Sequence, residues 1–126
     1  MSSHVVLVVD EDESSRMSLA AVLGLSGFSA IAASDSHDAL ARLRSGLRPC
    51  LIFLKVADPW RFIAEIRGEP NDIAILPIAV VVPGRGDVTR ALAMGIREVL
   101  VQPLDYPALV TSVERHCERS LRHVAP

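Results

Sequence analysis

The chain alternates short unbroken apolar runs with segments of helical periodicity. The runs are Val5-Val6-Leu7-Val8-Val9, Leu51-Ile52-Phe53-Leu54, Ile78-Ala79-Val80-Val81-Val82 and Val99-Leu100-Val101. Runs without polar interruption are what a parallel sheet covered on both faces requires. Phe28-Ser29-Ala30-Ile31-Ala32 is mixed instead, which predicts a less buried edge strand. Between the runs, Leu19, Val22 and Leu23 share one helical face, as do Leu40, Leu43 and Leu47. A third helix of about two turns is expected from Trp60 to Arg67, with Phe62, Ile63 and Ile66 inward. Val88, Ala91 and Leu92 mark a fourth helix stopped by Gly95, and Leu109, Val110, Val113, Cys117 and Leu121 mark a long fifth. Five strands alternating with five helices, joined by right-handed crossovers, predict an α/β fold, a doubly wound five-stranded parallel sheet between two helical layers. The order 2-1-3-4-5 places the mixed second strand at an edge.

Composition narrows the function. The chain has 126 residues, a size that predicts a single domain over 1–126. Thirteen basic against fifteen acidic residues give a net charge of −2, which predicts no nucleic acid and no anionic membrane as partner. No apolar run approaches the ~20 residues of a membrane helix, and MSSHVVLVVDED lacks a basic segment leading into a signal-peptide core. A cytoplasmic protein is expected. Cys50 and Cys117 show neither a disulfide framework nor a zinc spacing, and read as ordinary buried or half-buried cysteines.

In an open parallel sheet, functional groups gather beyond the carboxyl ends of the central strands. Asp10 and Glu11 end the first strand, Lys55 the third, Val82 the fourth, and Gln102 with Pro103 the fifth. These ends are expected to converge on one shallow pocket.

Four stretches give this pattern a family resemblance: VVLVVDEDESSR at 5–16, ASDSHDAL at 33–40, RPCLIFLKVADP at 48–59 and ALAMGIREVLVQP at 91–103. In order and spacing they resemble a receiver domain of bacterial two-component response regulators, a flavodoxin-like three-layer sandwich. The resemblance implies phosphoryl transfer from a histidine kinase to an aspartate. It also implies Mg²⁺ on an acidic pair and that aspartate, with a hydroxyl and a lysine binding the phosphoryl oxygens. Asp10 and Glu11 fill the acidic positions, but Lys55 stands in the aspartate's place, Val82 in the hydroxyl's and Gln102 in the lysine's. Val99 stands where the family carries a rotating aromatic, and the loop after the third strand is shortened, since Pro59 runs directly into Trp60.

Lysine forms no acyl phosphate and brings positive charge where Mg²⁺ needs oxygen ligands. Weak or absent Mg²⁺ binding and no cofactor are therefore expected. The Lys55 ammonium is expected to sit between Asp10 and Glu11 as an internal counter-ion, against the alternative that it extends into solvent. The resulting reading is a non-enzymatic pseudo-receiver that signals through protein–protein contacts. Its rivals are a phosphorylatable regulator with an unconventional acceptor and a small-ligand-binding flavodoxin-like domain. Among other aspartates, Asp58 lies three residues past the strand end, while Asp12 and Asp87 read as helix caps. His116 and His123 would lie about 10 Å apart along a helix, too far to share a metal ion. Arg115, Arg119 and Arg122 form a stripe suited to a helix C-terminus or to an acidic partner. By resemblance, the face of the fourth helix, fifth strand and fifth helix is a partner or homodimer surface, with Ile96, Arg97, Val99 and Tyr106 on it. Pro59 and Trp60 form a second candidate surface, unless Trp60 fills core.

Overall fold

In a computed structural model, which describes residues 5–118, the chain forms one five-stranded parallel sheet in the order β2-β1-β3-β4-β5. The strands are β1 (Val5–Asp10), β2 (Ser29–Ala33), β3 (Leu51–Lys55), β4 (Ile78–Val82) and β5 (Glu98–Val101). The helices are α1 (Glu13–Leu25), α2 (Ser36–Arg44), α3 (Pro59–Arg67), α4 (Asn71–Ala74), α5 (Gly86–Ala93) and α6 (Tyr106–Glu114). The expected strand order is the observed one. No helix among the described residues is long and apolar enough to cross a membrane.

Alternation along the strands divides the core. Leu7, Val9, Ile52, Leu54, Val80 and Val82 pack with α2, α3 and α5, where Leu43, Phe62, Ile63, Ile66 and Ala91 point inward. Val6, Val8, Leu51, Phe53, Ala79 and Val81 pack on the other side with Leu19 and Leu23 of α1 and Leu109 and Val113 of α6. Because successive side chains of a strand point to opposite faces, the apolar runs feed both layers at once.

Loop chemistry explains where the helices begin and end. Asp12, Asp35 and Asp58 cap α1, α2 and α3, their carboxylates accepting the N–H groups of Ser15, Asp38 and Arg61. At the opposite ends, Gly27 and Gly95 adopt φ of 92° and 82°, a left-handed turn that side-chain-bearing residues resist. Each is followed by an apolar residue whose N–H reaches back into the helix, Phe28 to the Leu23 carbonyl and Ile96 to the Ala91 carbonyl. This closure folds both side chains into the core.

Several expectations are corrected by these details. Phe28 belongs to the turn, and β2 starts at Ser29. Ile96 is only 1 % exposed, so it is not part of a contact face. Leu92 is exposed, while Ala91 and the half-buried Val88 of α5 pack inward. Asp87 lies in the first turn of α5 rather than capping it, and Arg85 holds the cap position without a side-chain bond. Among the described residues six helices replace the expected five, because α4 adds one turn between α3 and β4. Ile73 anchors that turn in the core, Arg48 pairs with Asp72 at 2.6 Å, and Arg67 donates to the Ala74 carbonyl at 2.7 Å. The numbering of the proposed face therefore becomes α5, β5 and α6. The α6 helix ends at Glu114, short of the expected length; Leu121, His123, Arg119 and Arg122 lie outside the described residues.

The largest correction concerns the cysteines. Cys50, just before β3, and Cys117, just after α6, are joined by a disulfide with Cα atoms 5.4 Å apart. Their separation of 67 residues gave no local spacing to read. Nearby, Glu98 of β5 gathers the end of α6: Ser112 Oγ donates to it at 3.1 Å and Arg115 at 2.9 Å, with His116 Nε2 3.5 Å away. Arg115 thus serves β5 rather than its own helix terminus.

Burial would push the Glu98 carboxyl up, but the hydrogen bonds from Arg115 and Ser112, the Arg115 charge and His116 together hold it below the usual range. A lowered folded-state value means that its stabilisation is present above the unfolded value of about 4.3 and is lost as pH falls through the folded value. Glu98→Gln should therefore lower the urea midpoint at about pH 7 and flatten its decline toward about pH 3, measured by far-UV circular dichroism.

Candidate functional site

Asp10 ends β1 beside Lys55, the last residue of β3, because the two strands pair in parallel with these residues in register. Asp10 is 1 % exposed and is one of two buried polar residues among those described, the other being Ser112. Its Oδ1 accepts the Asp12 N–H at 3.0 Å, and its backbone carbonyl accepts from Arg16 at 2.8 Å. Those bonds fix the turn into α1 and aim the carboxylate across the strand end.

Lys55 Nζ lies 3.8 Å from Asp10 Oδ1, with the lysine side chain 24 % exposed. The distance is that of an ion pair rather than a tight hydrogen bond. Asp10 Oδ2 is buried and accepts no hydrogen bond. The carboxylate's charge is therefore compensated chiefly by the ammonium. Glu11 does not share the lysine as expected. Its Oε1 turns to the Ala57 N–H at 2.8 Å and pins the shortened loop after β3.

A cavity of about 330 Å³ opens over this pair, lined by Asp10, Glu11, Lys55 and Gln102 together with Asp12, Val56, Ala57, Val81 and Pro83. Gln102 closes the far side, where its N–H donates to the Val82 carbonyl at 2.9 Å and its peptide bond to Pro103 is cis. Val82 itself is not in the lining. Strand parity sends its fully buried side chain into the α2–α5 side of the core, and Val81 takes the position over the pocket. Val81 and Pro83 were missed because an apolar run does not reveal which of its residues faces which layer.

These residues do not fit a Mg²⁺ site. The ammonium of Lys55 stands against Asp10, Glu11 is engaged by the Ala57 amide, and no group of three metal-ligating side chains occurs among the described residues. The pocket holds an internal ion pair between Asp10 and Lys55.

A second cavity of about 390 Å³ lies next to the first where the loop is short, between Ser36 and His37 of α2 and Arg61, Phe62 and Glu65 of α3. Pro59 is buried at the start of α3, so it forms no surface. Trp60 is half-buried, packs on the core and lies under Arg90 of α5, whose Cζ is 4.6 Å from the ring centroid. The guanidinium over the ring ties α3 to α5 and holds Trp60 by a cation–π contact. Arg97 and Tyr106 are exposed and Val99 is half-buried on the edge formed by β5 and the flanking helices.

Removing one partner of a fully buried ion pair costs about 3–5 kcal/mol. Because Lys55 is partly exposed, Lys55→Ala is expected to lower unfolding free energy by about 2 kcal/mol. Adding Asp10→Asn to Lys55→Ala should recover part of that loss. Urea unfolding of the four-member cycle measures the coupling.

No family model matches the chain. Curated relatives include the response regulator PleD of Caulobacter vibrioides, 29 % identical over 119 residues that make up 90 % of this chain and 26 % of PleD. The transcriptional regulatory protein FixJ of Rhizobium meliloti is 26 % identical over 121 residues, 94 % of this chain and 59 % of FixJ. The chain therefore spans about a quarter of one relative and under two thirds of the other. The chemotaxis response regulator CheY4 of Vibrio cholerae has the same fold, with a TM-score of 0.77 over 91 % of this chain and 98 % of that one, at 23 % identity. The sheet order and the likeness to CheY4 give the chain the receiver fold, and over about nine tenths of its length its sequence is similar to response regulators of two-component systems.

Proposed function

We propose that this receiver domain transmits its signal without a phosphorylation cycle, as a non-enzymatic interaction module of a cytoplasmic two-component pathway. The observation that carries this reading is the Lys55 ammonium 3.8 Å from the buried Asp10 carboxylate, in the position where the family resemblance expects a phosphoacceptor. A phosphoryl group arriving here would meet no carboxylate nucleophile at position 55. The internal cation already balances the charge that Mg²⁺ would otherwise balance. Gln102 supports the same reading, since an amide completes the polar rim without placing a second ammonium beside Lys55.

Incubation with acetyl phosphate and Mg²⁺, followed by intact-mass measurement, should leave the protein unmodified. A stoichiometric, base-labile phosphate adduct would instead establish an unconventional acceptor and overturn this reading. Binding of a flavin or another small ligand, seen as a coloured or mass-shifted purified protein, would favour the flavodoxin-like alternative.

The partner is a protein, either another component of the pathway or a second copy of the chain, and not a nucleic acid or a membrane. The α5–β5–α6 face is the surface supported best. There β5 is the edge strand of the sheet among the described residues, flanked by exposed Leu92, Arg97 and Tyr106. An exposed arginine and tyrosine beside apolar surface have the composition of an interface anchor. Joint Arg97→Ala and Tyr106→Ala substitution should weaken partner binding or self-association about tenfold, corresponding to about 1.4 kcal/mol. Calorimetric titration, or sedimentation for a homodimer, measures it; unchanged affinity would exclude this face.

A further inference from the structure

We infer that Cys50 and Cys117 form a reversible thiol–disulfide switch that fastens the end of α6 to the sheet. The inference is independent of whether the pocket at Lys55 is ever phosphorylated.

The geometry suits both redox states. As a disulfide, the pair spans a Cα–Cα distance of 5.4 Å, within the usual range. As thiols, each side chain keeps a favourable environment. The Cys50 sulfur lies 3.1 Å from the Val5 carbonyl oxygen, an acceptor that an S–H group can use and a disulfide cannot. Cys117 is buried against the α1–α6 side of the core, where a thiol packs as a small hydrophobe. The fold thus survives reduction while losing its covalent tie.

Access is unequal, which sets the order of exchange. Cys50 is half-buried and Cys117 is only 7 % exposed. The Cys50 thiolate attacks a low-molecular-weight disulfide such as glutathione disulfide, forming a mixed disulfide and releasing one thiol. Cys117 then displaces the second thiol as the protein disulfide forms, so two protein thiols and one disulfide become one protein disulfide and two thiols. In a reducing cytoplasm such a bond forms only transiently, which is the behaviour of a sensor rather than of a structural staple.

The consequence falls on α6. Its last residues are held by the Cys50–Cys117 bond and by Glu98, which engages Ser112, Arg115 and His116. Opening the bond leaves the polar cluster and the apolar contacts of Leu109 and Val113, and it releases a covalent loop closed over 67 residues of separation. The reduced form is therefore looser at the end of α6 and less stable overall.

The test equilibrates the whole chain in glutathione buffers of graded reduced-to-oxidised ratio, quenches with an alkylating reagent and weighs the intact protein. The expected result is reversible conversion between a doubly alkylated dithiol and an unalkylated disulfide within one chain. Hydrogen exchange of the two forms should then show amides of residues 109–118 exchanging at least ~10-fold faster in the dithiol, with β1 and β3 unchanged. The thermal midpoint should fall by about 10 °C on reduction. Cys117→Ala should exchange like the dithiol in every buffer. Two free thiols at all ratios, a disulfide only between chains, or equal α6 exchange in the two forms would overturn the proposal. The unsubstituted chain supplies both forms, so the comparison stands even where Cys117→Ala folds poorly.

Discussion

A parallel sheet covered on both faces leaves almost no place for charge, and the rest of this molecule follows from that constraint. The central strands β1, β3 and β4 are apolar along nearly their whole length, and each side chain is committed to one of two helical layers. Polar chemistry is confined to where strands end. At one such end a single carboxylate, Asp10, is buried at the edge of the core. Burying it without a partner would be costly, and the parallel register of β1 with β3 brings Lys55 alongside.

The ion pair changes what the fold can do. The same strand ends that converge in any doubly wound sheet form a cavity here, but one in which Lys55 compensates the buried Asp10 from within. Glu11 has been redirected to hold a loop, Val81 and Pro83 make part of the wall apolar, and Gln102 closes the rim without charge. Receiver architecture is retained, with an ammonium standing where the family resemblance expects a carboxylate.

The amino ends of the strands are organised by different means. Glu98 collects Ser112, Arg115 and His116 around β5, and the Cys50–Cys117 bond ties the approach to β3 to the segment that follows α6. The two fastenings answer to different conditions, the first to protonation and the second to redox state. Both act on α6, whose neighbour β5 is the edge strand of the sheet.

Local and periodic features were legible in the sequence: the five strands, the edge position of β2, the stop at Gly95, the cap at Asp12 and the gathering of Asp10, Lys55 and Gln102 at one edge. Each depends on neighbours along the chain or on a topological rule that apolar runs reveal directly. Tertiary structure alone decided the facing of Val81 against Val82, the burial of Ile96, the anchoring of α4 by Arg48 and Arg67, the division of Glu11 from Lys55, and the Cys50–Cys117 bond. The physical reason is common to all of them. A run of apolar residues specifies that it will be buried but not which layer receives each side chain, and partners tens of residues apart meet only after the sheet has set their distance.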